Sequence, residues 1–81
     1  MGNINEFKSS DFYQSVVLVT VGFPLIRLER NDKRFFTFVF NDPEGKAEDV
    51  IKQYWNKELQ VVARDLIESV NELKTRIHSG V

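Results

Sequence analysis

The chain has no cysteine and a single histidine, His78, among its 81 residues. The first absence excludes disulfides and thiolate-bound metals, so cross-links do not offset the small size of this domain. Together the two exclude a thiol–imidazole pair and any nitrogen- or sulfur-rich metal site within one chain. Charge of one sign is also lacking: 11 basic against 12 acidic residues leave a net charge of −1. No global field therefore recruits nucleic acid or anionic lipid. The longest apolar run, Val16–Val21 with Thr20 inside it, falls far short of the roughly 20 residues needed to span a bilayer. The segment Met1–Lys8 lacks the charged-then-apolar form of a signal peptide. A soluble protein of the cytoplasm is the expectation. Gly22, Gly45 and Gly80 are scattered, so no glycine-rich phosphate loop forms.

What is present is apolar and patterned. Hydrophobic residues make up 42% and aromatics 12%, enough to pack one small core. Residues 1–9 are polar and read as a flexible N-terminus; residues 10–79 read as a single α+β domain. The stretch Leu25–Phe40 organises it, carrying four of the seven phenylalanines. Phe36, Phe38 and Phe40 alternate with Phe35, Thr37 and Val39, as the two faces of a strand should. In the preceding half, Ile26 and Leu28 point one way and Leu25, Arg27 and Glu29 the other. Asn31-Asp32-Lys33-Arg34 between them is turn-prone, so the pair reads as a β-hairpin.

Helices are expected on both sides of that hairpin. Asp11 can cap the first, with Gln14 three residues later in the capping-box position. Val16–Val21 is nearly all β-branched and by propensity a strand. The spacing of Phe12, Val16, Val19 and Phe23, with Gly22 as C-cap and Pro24 beyond, favours helix. After the hairpin, Asp42-Pro43-Glu44 reads as a helix start, with Gly45 delaying regularity by a turn. Ala47, Val50, Ile51, Tyr54 and Trp55 mark its core face. Leu59–Val62 can add a third strand. Leu66, Val70, Leu73 and Ile77, widened by Ile67, form the last helix, on which Glu72 and Arg76 are spaced as an i,i+4 ion pair. The predicted architecture is a small antiparallel hairpin or three-stranded sheet packed with about three helices, in the order α-β-β-α-(β)-α.

The Asp-led first helix, the Gly-Phe-Pro-Leu entry into a hairpin ending Phe-Thr-Phe-Val-Phe, the Tyr-Trp-Asn step, Val-Val-Ala-Arg-Asp-Leu and the closing Leu-Lys-Thr-Arg together resemble a family of short uncharacterised domains, domains of unknown function, from bacterial and phage-like genomes. The resemblance spans about residues 10–78 and lies in layout more than in a diagnostic motif. The first helix departs from it, since such proteins are richer there in alanine and leucine. It implies the fold and no activity.

Catalytic candidates are few. His78 sits where a helix dipole favours a cation, an ordinary surface placement. Asp42, Glu44, Glu48 and Asp49 lack the alternation of a calcium loop and read as first-turn acids. No cofactor or metal is expected, and the chain is expected not to be an enzyme. Binding features are better. If helices cover one hairpin face, Leu25, Phe35 and Val39 look outward and form a protein-interaction face for another protein or a second copy. The competing arrangement has the first helix wrap that face. Arg27, Arg30, Lys33 and Arg34 form a basic edge against Glu29 and Asp32, a candidate nucleic-acid contact whose plainer reading is a solvated turn. Tyr54 and Trp55 beside Lys52 and Lys57 can stack on bases, although their place on the core stripe predicts burial. The first expectation is a non-enzymatic interaction module, such as a mobile-element accessory or inhibitor that occludes a partner. The alternative is a nucleic-acid-binding accessory.

Overall fold

A computed structural model describes residues 5–30 and 35–79. The chain runs β1 (Glu6–Ser9), α1 (Phe12–Val21), β2 (Leu25–Arg30), β3 (Phe36–Asn41), α2 (Ala47–Trp55) and α3 (Ala63–Ser79). It is a small α+β domain in which β1 and β2 flank β3, both antiparallel to it. The molecule measures 35 × 33 × 17 Å, the thinness of one sheet under one layer of helices.

The valine-rich segment is helical, against its β propensity, because both ends are fixed and its middle is buried. The Asp11 carboxylate accepts the Gln14 backbone N–H at 3.0 Å. At the other end Gly22 has φ 116°, its N–H reaches the Val19 carbonyl, and the Phe23 N–H reaches the Leu18 carbonyl. These paired bonds are a Schellman closure, which glycine makes without Cβ strain. Between the caps Ser15, Val16, Val17 and Leu18 are all buried, so α1 lies in the middle of the helical layer. Small polar residues allow α3 to approach it. The Thr20 hydroxyl donates to the Val16 carbonyl and lies 2.9 Å from Ser69 Oγ, which donates to the Asp65 carbonyl.

The core joins Val16 and Leu18 of α1, Phe38 and Phe40 of β3, Ala47 of α2 and Leu73 of α3. Phe36 packs against it, so the three alternating phenylalanines do share the covered face. On β2 the expected alternation fails. Leu25 pairs with Phe40, but Arg27, not Ile26, pairs with Val39, so a bulge at Ile26 shifts the parity. Leu25 and Leu28 consequently both pack on the core, and Ile26 is left exposed.

Two further expectations are corrected. The N-terminal segment read as flexible supplies β1, with Phe7 opposite Phe40 and Ser9 opposite Phe38. A four-residue strand with one apolar side chain gives almost no periodic signal. Leu59–Val62 forms no strand. Val61 and Val62 are exposed, and the Val62 carbonyl already accepts the Leu66 N–H at the start of α3. The observed order is β-α-β-β-α-α, with the third strand at the opposite end of the chain.

Asp42 links β3 to α2. Its carboxylate accepts the Lys46 and Ala47 N–H groups at 2.8 and 3.2 Å, later in the chain than the second and third residues a cap at Asp42 itself would bond. Gly45, with φ 69°, makes the intervening turn. Because Asp42 is 6% exposed, removing its carboxylate strands buried donors. Asp42→Ala is expected to destabilise by about 1–2 kcal/mol, read as a lower urea midpoint at unchanged slope.

Candidate functional site

The hairpin residues expected to form a binding face do not form one. Val39 is 0% exposed. Its cross-strand neighbours are Lys8 and Arg27, and long charged side chains close over so small a residue. Arg27 is held there by Glu6, at 3.1 Å, and by Glu29, at 2.8 Å, while Lys8 stands 3.9 Å from Glu29. The hydrogen bond from Arg27 holds the Glu6 carboxyl below its ordinary value, and the same bond raises Arg27 above its own. With Leu25 packed on the core, Phe35 is the one member of the expected trio left accessible, at 59%.

The basic edge is also altered. Arg27 belongs to the carboxylate lattice just described, so its charge is locally balanced. The Arg30 guanidinium carbon lies 5.6 Å from the centre of the Phe36 ring, a cation–π distance. Lys33 and Arg34 lie outside the described residues. His78 is exposed in the last turn of α3. Among the described residues no three acidic or imidazole groups gather as a metal cluster would need, and no helix is long and apolar enough to cross a membrane.

Accessible apolar side chains also line a recess on the helical layer. Between α1, α2 and α3 runs a groove of about 300 Å³, with Val16, Val17 and Val70 along its floor and Tyr13, Tyr54 and Ile67 on its walls. Tyr13 is 61% exposed and Ile67 58%. Trp55, at 62%, meets Tyr54 edge-on with ring centres 5.3 Å apart, which extends the patch along α2. The periodicity of α2 and α3 placed Trp55 and Ile67 in the core. Both lie at the edge of their stripes, and the other helices do not reach that far. On α3 the i,i+4 ion pair is Arg64–Glu68, at 3.4 Å, whereas Glu72 and Arg76 do not pair and Arg76 Nε is buried without a hydrogen-bond partner. The sequence signal for this groove is Ile67, a large apolar residue that over-widens the stripe of α3.

Comparison with known proteins supplies a family and no chemistry. No curated protein and no solved structure matches the chain. A family model described as "Domain of unknown function (DUF5659)" matches residues 4–79, which includes β1 and every later element.

Proposed function

Because the chain belongs to the DUF5659 family, which is defined by sequence and not by an activity, we propose its function from its surfaces: it is a non-enzymatic protein-interaction module that docks through the groove between α1, α2 and α3. One observation carries this reading. Tyr13 and Ile67, two large apolar side chains on the walls of a single recess, are each about three-fifths exposed, and Trp55, equally exposed, adjoins the recess through its contact with Tyr54. Tyrosine and tryptophan are the residue types that anchor protein interfaces, and a lone apolar residue on a surface would need no explanation. A small-molecule pocket would add convergent polar groups to fix a ligand's orientation. The groove walls offer only the Tyr13 and Tyr54 hydroxyls. The engagement of Arg27 by Glu6 and Glu29 puts this reading ahead of a nucleic-acid contact at the hairpin. Placement in the cytoplasm, a bacterial or phage-like source, and action by occluding a partner belong to the same proposal.

The absence of cysteine makes the test direct, since one introduced thiol can carry a photo-crosslinker. Ile67→Cys and, as a control on the hairpin, Ile26→Cys are labelled with a benzophenone and illuminated in extract from the source cells. The expected result is a protein adduct at position 67 that unlabelled parent protein suppresses, and none at position 26. No adduct at position 67, or equal adducts at both positions, overturns the proposal.

A further inference from the structure

We infer that the groove is occupied by a second copy of this chain, related by a two-fold axis, with the Ile67 of each copy seated in the groove of the other. The inference rests on the docking reading above and adds the identity of the partner. An isologous contact uses the same patch on both subunits, so that patch must carry a projection and a recess side by side. This one does. Ile67 stands 58% exposed on one wall of the recess, and Tyr13 stands 61% exposed on another.

The area fits as well. At their observed exposures Tyr13, Trp55 and Ile67 leave roughly 350 Å² of apolar surface uncovered, taking side chains of this size at about 150–250 Å². A standard interface takes about 800 Å² from each partner, a little over half of it apolar. The part-exposed Tyr54 ring and Val70 add to that surface, while Val16 and Val17 in the floor are buried. Charge is consistent with a like partner. The patch is flanked on α3 by Arg64 and Glu68, one charge of each sign, so a two-fold axis near Ile67 can bring each arginine towards the other copy's glutamate. With a net charge of −1 per chain, two copies repel each other little.

Sedimentation of the full-length parent, from about 1 to 300 μM, is expected to show a monomer–dimer equilibrium. Ile67→Asp should raise the dimer dissociation constant about 30-fold or more, the change expected for an interface anchor replaced by a charge. Tyr13→Asp should act in the same direction. Both variants should keep the parent's circular dichroism spectrum, since neither side chain is in the core. Phe35→Asp, on the hairpin, should dimerise like the parent. A parent monomeric throughout the range overturns the second-copy inference. So does a dimer that survives both groove substitutions or is lost with Phe35→Asp. If the parent is monomeric but position 67 still crosslinks to another protein, the docking reading stands alone. If neither self-association nor an adduct is found, both fail.

Discussion

Phe40→Ala is expected to leave the domain largely unfolded at room temperature. Phe40 is 0% exposed near the end of β3, the middle strand of the sheet, paired with Phe7 on one side and Leu25 on the other. It therefore joins all three strands, and it belongs to the cluster that includes Val16, Leu18 and Leu73 of the helical layer. Truncating a buried phenylalanine to alanine costs about 3–5 kcal/mol, through lost transfer energy and a cavity that close packing cannot fully collapse. A domain of this length has about 4–12 kcal/mol in total. The lower half of that range does not survive the change with a useful margin. Circular dichroism should show loss of the cooperative melt, or a midpoint lowered by at least about 15 °C. A variant melting within a few degrees of the parent would mean that the two layers are not held together at Phe40.

How much of this was legible from residues depends on whether the controlling signal is local. The helical state of Val16–Val21 was, because Asp11 and Gly22 are local signals and both make the caps their chemistry suggests. The covered face of β3 was legible for the same reason, since three alternating phenylalanines need no tertiary knowledge. The parity of β2 was not. A single bulge at Ile26 moves Leu25 to the core and Ile26 out of it, and nothing in Leu-Ile-Arg-Leu announces it. That shift also took Leu25 out of the expected binding face, leaving Arg27 beside Val39. β1 was hidden because Phe7 gains its place from the strand it pairs with. The groove was only half legible. Periodicity marks which helical residues are apolar, but the width of the neighbouring helices decides which of them are covered.

Helix α3 gives the sharpest test of that distinction, because Leu73 and Ile67 were read from the same stripe. Leu73 is 0% exposed, in the core with Val16, Leu18 and Phe40, whereas Ile67 is 58% exposed. Leu73→Ala is expected to cost about 2–5 kcal/mol, most of it through the cavity left where α3 packs on α1 and the sheet. Ile67→Ala removes a comparable side chain from the same helix, and alanine is the better helix former. For the monomer its cost should stay within about 0.5 kcal/mol, as for exposed positions generally. Urea unfolding at about 1 μM, where association contributes least, compares the two directly. The two variants should differ by at least about 2 kcal/mol at equal slopes. Equal losses would place Ile67 in the monomer's core, closing the groove and removing the surface on which both the docking reading and the second-copy inference depend.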